Sequence, residues 1–116
     1  MRLTGSIAVA GLLAAANGAA ADELQAISTA GKGDLTMCQG ILGRECNLYH
    51  HIALPPRIAV GDTVALDFGS NEKRFNFPVV RIVKNGAGCT VLSQASGDPA
   101  TMDKIELASC QDAAAR

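Results

Sequence analysis

In this 116-residue sequence, four cysteines and two adjacent histidines are the residues best suited to metal binding, redox chemistry or catalysis. They are Cys38, Cys46, Cys89, Cys110, His50 and His51. Thiols and imidazoles in this number could bind a metal ion or supply a nucleophile and its base, and the cysteines could instead pair as disulfides. The spacing of the residues and the compartment in which the chain matures decide among these chemistries.

The spacing of these residues does not fit the common metal and redox motifs. Structural zinc sites use close pairs such as Cys-x₂-Cys, and thioredoxin-like sites use Cys-x-x-Cys, whereas the first two cysteines here form Cys-x₇-Cys. On a regular strand, His50 and His51 would point to opposite faces. We therefore predict neither a metal site nor a cofactor. One alternative stays open, a carrier of a metal or small ligand in which His50 or His51 is joined by Met37 or Met102.

Candidate catalytic groups are present, but none has the surroundings that a known enzyme motif would give it. Cys46 could be a nucleophile with His50 as its base, and Asp62 and Asp67 could form an acid/base pair. Asp62 follows a glycine, a position where Asp usually bonds its own backbone. The sequence contains no G-x-S-x-G, H-E-x-x-H, P-loop or dinucleotide motif. We predict that the protein is not an enzyme and assign no catalytic residue.

The N-terminal residues match a secretory signal peptide. Arg2 supplies a positive charge, residues 7–16 are all apolar or glycine, and the alanines at 19–21 precede Asp22. The apolar run is too short to cross a bilayer, which takes about 20 residues. We predict that residues 1–21 are removed, that no membrane span remains, and that the protein is periplasmic or secreted.

An exported chain meets an oxidising compartment, so the even number of cysteines favours disulfides. Four cysteines allow three pairings, and we favour Cys38–Cys46 with Cys89–Cys110. A turn inside each interval would place the two cysteines opposite each other on neighbouring strands. Directly opposed Cβ atoms lie about 4.5–5.5 Å apart, close to the disulfide distance. Each bridge is expected to stabilise the fold by about 2–4 kcal/mol.

The charge balance argues against a nucleic acid or an anionic membrane as the partner. The chain has 10 Lys and Arg against 11 Asp and Glu, whereas both partners favour a clear positive excess. The stretch from Lys73 to Phe77 mixes basic and aromatic residues, a composition that suits single-stranded nucleic acid. Its strand pattern, however, is expected to bury Phe75 and Phe77. We predict no nucleic-acid partner.

Strand signals dominate the chain from Asp34 onward. Residues 64–68 alternate apolar and polar side chains, and Asn85-Gly86 is typical of a tight hairpin turn. About six or seven short strands with closely spaced turns indicate an all-β fold, a small antiparallel sandwich or barrel stapled by disulfides. We expect residues 22–33 to form a flexible N-terminal arm and residues 34–116 to form a single β domain.

Two hairpin registers follow from the apolar pattern. In the first, the opposed pairs are Phe68–Phe75, Leu66–Phe77 and Val64–Val79. In the second, the opposed pairs are Ile82–Cys89 and Val80–Val91. The two apolar sets fall on opposite faces with Pro78 between them, so the chain either bends there or is buried on both sides.

The loop closed by the first cysteine pair, residues 39–45, is the candidate contact surface. It places Ile41 and Leu42 at a turn tip, and a disulfide-fixed loop loses less entropy on binding. In the alternative, both residues fold back into the core. We predict a non-enzymatic binding or accessory protein, inhibitor-like or envelope-associated, whose partner is another exported or envelope protein. The predicted partner-binding residues are Ile41, Leu42, Arg44, Tyr49, His50 and His51.

Overall fold

Short antiparallel strands make up most of the computed structural model, which describes residues 23–68 and 73–113. Ten strands occur in this part of the chain, and seven of them have four or more residues. They are β1 (Ala26–Ser28), β2 (Lys32–Gln39), β3 (Glu45–Ala53), β4 (Arg57–Ala59), β5 (Thr63–Phe68), β6 (Lys73–Pro78), β7 (Arg81–Asn85), β8 (Gly88–Leu92), β9 (Lys104–Leu107) and β10 (Gln111–Asp112). Two 3₁₀ turns, Ile41–Gly43 and Pro99–Thr101, complete the elements. The all-β prediction is confirmed, and the predicted signal peptide lies outside the described residues.

The strands form three antiparallel sheets. The largest has the order β3-β2-β9-β8-β7, the second has the order β10-β1-β4, and β5 and β6 form a hairpin of their own. An isolated bridge between Glu23 and Val83 and a hydrogen bond from the N–H of Leu24 to the carbonyl of Ile82 tie the second sheet to the edge strand β7. Among the described residues, no helix is long and apolar enough to cross a membrane.

One apolar core lies between these sheets and takes side chains from nine of the ten strands. Its members include Ile27, Leu35, Ile52, Ile58, Leu66, Phe77, Ile82, Val91 and Ile105. Most are aliphatic, as expected for a chain without tryptophan. Strands β5 and β9 show the strict alternation of buried and exposed residues that a half-buried sheet requires. The core therefore depends on period-2 patterning in short strands.

The N-terminal segment differs from its prediction. Residues 22–33 are expected to form a flexible arm, but within this segment β1 pairs with both β4 and β10. Ile27 is fully buried in the core. Its isolated apolar position among small and polar neighbours gives almost no periodic signal, although one buried isoleucine is enough to anchor a three-residue strand. The β domain thus begins before residue 34.

The β5–β6 hairpin has the predicted inward face but not the predicted register. Leu66 lies opposite Phe75 and Val64 opposite Phe77, so the true register is shifted by two residues from the expected one. A shift of two leaves every side chain on its own face, because the side-chain period of a strand is two. The apolar pattern therefore cannot distinguish these registers. Phe77 is fully buried and Phe75 packs against the core, as expected.

The next hairpin is also shifted by two residues. Ile82 lies opposite Val91, and the central turn residues are Gly86 and Ala87. Asn85 is the last residue of β7 and its side-chain amide donates to the Thr90 hydroxyl. Gly86, with φ of 63°, is at the first central position, as in a type II′ turn.

The chain bends between the two hairpins. β6 ends at Pro78 and β7 begins at Arg81 in a different sheet. Between them Val79 is buried, whereas Val80 lies near the surface and donates its N–H to the carbonyl of Leu92. Of the two predicted possibilities the structure has the bend, so neither strand is buried on both faces.

Candidate functional site

The β2–β3 hairpin is closed near its end by the first disulfide. Cys38 and Cys46 are directly opposed, with their Cα atoms 4.0 Å apart. The N–H of Cys38 does not bond across the ladder but donates to Oδ1 of Asp103 at 2.9 Å. The cysteines are therefore a non-hydrogen-bonded pair, the position where opposed side chains come closest in an antiparallel ladder. The predicted pairing and its geometric reason are both confirmed here.

The tip, residues 40–44, is a compact turn. Gly40, Leu42 and Gly43 have φ of 84°, 59° and 65°, and the N–H of Gly43 donates to the carbonyl of Gly40 at 3.1 Å. Glycine adopts positive φ freely, but leucine in the left-handed region pays about 1–2 kcal/mol. Leu42 is thus held in a conformation that its own side chain disfavours.

The apolar side chains of the tip point to solvent. Ile41 is 86% exposed and Leu42 is 71% exposed, the two highest values among the large apolar residues that the structure describes. The alternative in which they fold back into the core is therefore wrong. Arg44 and Glu45, also exposed, flank them. The tip presents two adjacent aliphatic side chains with a charged residue at their side.

A platform formed by residues 98–103 supports the tip from one side. Oδ1 of Asp98 accepts the N–H of Ala100 at 3.0 Å, and the Thr101 hydroxyl donates to the carbonyl of Asp98. A Cβ atom on Gly43 would lie 2.5 Å from the Thr101 carbonyl oxygen, so the two backbones are in close contact. The tip is therefore exposed but braced, which lowers the entropy it would lose on binding.

The opposite side of the hairpin forms a concave pocket of about 360 Å³. Its lining residues are Met37, Cys38, Gln39, Asn47, Tyr49 and Phe68. The rings of Tyr49 and Phe68 meet edge to face with centroids 4.8 Å apart. Tyr49, one of the predicted contact residues, is thus half-buried and forms a wall of this pocket.

A β-bulge brings the two histidines together with an aspartate. Gly33 pairs with Ile52 and Leu35 pairs with Tyr49, so His50 and His51 together oppose the single residue Asp34. The expectation that the histidines point to opposite faces assumed a regular strand. Their ring centroids lie 6.1 Å apart, and His51 has φ of 59°. The bulge is the reason, because it inserts an extra residue and interrupts the alternation.

The aspartate holds the bulge through backbone and side-chain contacts. Oδ1 of Asp34 accepts the N–H of His51 at 3.1 Å, and Oδ2 lies 3.4 Å from Nδ1 of His50. The hydrogen bond from the His51 N–H is the main cause that lowers the pKa of Asp34 below 3.8, and the contact with His50 acts in the same direction. Asp34 is therefore a charged partner for the bulge at neutral pH.

The predicted contact residues share one hairpin but not one point. Arg44, Ile41 and Leu42 lie at the tip, whereas His51 follows Glu45 by six strand residues, about 20 Å at 3.3 Å per residue.

The predicted contact set does not include Leu48, which is 52% exposed beside the disulfide, or the pocket residues Met37, Asn47 and Phe68. The alternation in β3 could have indicated Leu48, because it shares a face with Cys46.

The second disulfide confirms the predicted pairing but not the predicted geometry. Cys89 lies opposite Leu107 in the β8–β9 ladder, and Cys110 comes after the end of β9. The N–H of Cys110 donates to the carbonyl of Ala87 at 3.1 Å, and the Cα atoms of the two cysteines are 6.0 Å apart. The chain therefore folds back past the strand end to reach Cys89, which a hairpin argument does not foresee.

The remaining candidate chemical groups have structural surroundings. Cys46 is in a disulfide, and all four cysteines are paired. Asp62 accepts the N–H of Ala59, and Asp67 pairs with Arg74 on the surface. Met102 is buried, and Met37 packs against the core. Within residues 23–68 and 73–113, no group of three His, Cys, Asp or Glu side chains is arranged to hold a metal ion.

No protein-family model, curated protein or solved structure matches the chain. Two disulfides are typical of a protein that matures in an oxidising compartment.

Proposed function

We propose that this chain is an exported, non-enzymatic binding protein that contacts another exported or envelope protein through its tip. The observation that carries the proposal is Leu42, an exposed leucine held in the left-handed conformation. Such a residue costs stability twice, through backbone strain and through apolar surface left in water. Strain of this kind concentrates at functional sites, where a partner recovers the loss. The N-terminal pattern and the two disulfides support export.

The shape of the tip indicates how it would bind. A turn with three positive φ values is convex and cannot lie as an extended segment along a partner's cleft. Ile41 and Leu42 would instead insert into an apolar depression of the partner, with Arg44 at the polar rim. An inhibitor built this way blocks a surface by insertion and does not imitate an extended substrate.

The rest of the hairpin can extend this contact. The pocket beside Tyr49 can accept an apolar side chain from the partner, because Met37, Tyr49 and Phe68 supply its apolar walls. His50 and His51 lie farther along β3, so a partner that reaches them covers the whole hairpin. We expect the two aliphatic side chains to supply most of the binding free energy and the histidines to add specificity.

Recovery of partners from an extract of the producing cell's envelope tests the proposal. Ile41→Asp and Leu42→Asp should each abolish recovery of a protein that wild type retains, because a carboxylate cannot enter an apolar depression without a large desolvation cost. Val80→Asp is the matched control, since Val80 is also an exposed apolar residue but directly precedes β7, which is the opposite edge strand of the largest sheet from β3. Equal recovery by wild type and both tip variants would exclude the tip as the contact surface.

A further inference from the structure

The two disulfides differ in their access to solvent. Cys46 is exposed and Cys38 half-buried on the hairpin, whereas Cys89 is 2% exposed and belongs to the core, and Cys110 is half-buried and packs against that core. Exchange of a disulfide requires a thiolate to reach one of its sulfur atoms, so exposed bridges exchange first. The fold thus separates a core bridge from a surface bridge.

Backbone oxygens surround the sulfur atoms of the surface bridge. Sγ of Cys46 lies 3.5 Å from the carbonyl oxygens of both Gly43 and Ala100. Sγ of Cys38 lies 3.6 Å from the carbonyl oxygen of Met102 and 4.0 Å from that of Ala100. These oxygens have no hydrogen to accept from a disulfide, but they can accept the S–H of a thiol. The reduced cysteines would therefore find hydrogen-bond acceptors already in place.

The hairpin is also held without its bridge. The ladder from Lys32 to Gln39 pairs with β3, and β2 pairs on its other side with β9. The N–H of Cys38 donates to Asp103, and Gly43 packs on Thr101. Opening this bridge removes one covalent link but leaves these contacts intact.

We propose that Cys38–Cys46 is a site of thiol–disulfide exchange whose partners are small dithiols or the dithiol of an exported protein. A thiolate of the reductant attacks Sγ of Cys46, which forms a mixed disulfide and releases Cys38 as a thiolate. Cys38 takes a proton from water and donates it toward the Met102 carbonyl. The second thiol of the reductant, as a thiolate, then attacks the reductant sulfur that is bonded to Cys46 in the mixed disulfide. Cys46 is released as a thiolate and takes a proton from water. The reductant loses two electrons and two protons, and the protein gains them as two thiols.

Opening the bridge changes the tip and leaves the β core in place. Residues 40–44 lose the covalent link at their base, so their amide hydrogens should exchange faster with solvent. The exchange reaction does not depend on whether the tip binds a partner. A failure to recover a partner would therefore count against the proposed function and not against the exchange reaction.

Titration of the full chain with dithiothreitol, followed by alkylation and peptide mass analysis, tests the proposal. Cys38 and Cys46 should become alkylated at least about tenfold faster than Cys89 and Cys110, because Cys46 is exposed, whereas Cys89 is buried and Cys110 packs against the core. The selectively reduced protein should keep its far-ultraviolet circular dichroism and a cooperative unfolding transition. Simultaneous opening of both bridges, earlier opening of Cys89–Cys110, or loss of the fold on selective reduction would overturn it.

Reaction of the wild-type chain with reduced glutathione, quenched with acid and followed by peptide mass analysis, tests which sulfur is attacked. The trapped mixed disulfide should carry glutathione on Cys46, because Cys46 is the more exposed residue. Glutathione found equally on both cysteines, or mainly on Cys38, would contradict attack at Cys46.

Discussion

Two of the residues that the structure describes, both on the β2–β3 hairpin, have positive φ without being glycine. Leu42 lies at the tip, and His51 lies in the bulge. His51 has a local compensation, because its N–H donates to Asp34. The side chain of Leu42 is apolar, can form no hydrogen bond of its own and is largely exposed. At the residue scale, the bulge is therefore a stabilised irregularity, whereas the tip leucine reduces stability and needs another reason for its presence.

Replacement of Leu42 by asparagine should stabilise the protein. Asparagine tolerates the left-handed conformation better than leucine, so Leu42→Asn is expected to raise the free energy of unfolding by about 1 kcal/mol. Ile41→Asn is the matched control, because Ile41 is also largely exposed but is not among the residues with positive φ. It should change stability by less than about 0.5 kcal/mol. Urea unfolding measures both, and a loss of stability in Leu42→Asn would show that the strain argument is wrong.

Asp34 should give the bulge an acid-sensitive contribution to stability. Its folded pKa lies below 3.8, so the contribution is fully present above that value and is lost as the pH falls through the folded pKa. Asp34→Asn keeps the shape but removes the charge. Urea midpoints of wild type and variant should differ most at neutral pH and converge well below pH 3.8. A constant difference across this range would contradict the role of the carboxylate charge.

At the element scale, period-2 patterning predicted which face of each strand is buried but not its exact partner. Leu66 and Phe77 were placed correctly in the core, yet their registers were shifted by two because a shift of two preserves the face. In the β7–β8 hairpin, the Asn85-Gly86 turn signal did not fix the register either, because Asn85 ends β7 and its side-chain amide donates to the Thr90 hydroxyl.

The candidate site was predictable only in part. Cys38 and Cys46 are opposed as the spacing suggests, because a short loop leaves few alternatives. The bulge at His50 and His51 could not be predicted from the sequence, because it depends on a contact with Asp34, which is distant in sequence. The platform under the tip also comes from a remote segment, residues 98–103, and no local pattern reveals such a contact.

The contact between the tip and the platform can be isolated by comparing two glycines. Gly43 and Gly86 have nearly equal φ, 65° and 63°. A Cβ on Gly43 would lie 2.5 Å from the Thr101 carbonyl oxygen, whereas a Cβ on Gly86 meets nothing within 4 Å. Gly86→Ala should cost about 1 kcal/mol for the backbone conformation, and Gly43→Ala should cost clearly more. Thermal unfolding compares them, and equal losses would mean that the tip does not rest on the platform.

At the scale of the whole molecule, three small sheets share one core that no sheet could bury alone. β1 and β10 are only three and two residues long, and they stay in place because Ile27 enters the core and because Cys110 is tied to Cys89. A domain of this size gains limited stability from its apolar core, so covalent links matter. The two bridges stabilise different parts of the fold, because Cys89–Cys110 links the C-terminal segment to the core and Cys38–Cys46 links the two strands at the base of the tip.

The bridges should therefore contribute unequally to stability. In the chain-entropy account, a separation of 21 residues for Cys89–Cys110 corresponds to about 3.3 kcal/mol, and a separation of 8 residues for Cys38–Cys46 to about 2.5 kcal/mol. Replacing Cys89 also empties a buried position, which adds to the loss. Urea unfolding of the two double alanine variants should show the larger loss for the core pair, and failure of that variant alone to fold would give the same order. A larger loss for the Cys38–Cys46 pair would mean that the hairpin, and not the region around Cys89, is the part on which the fold most depends.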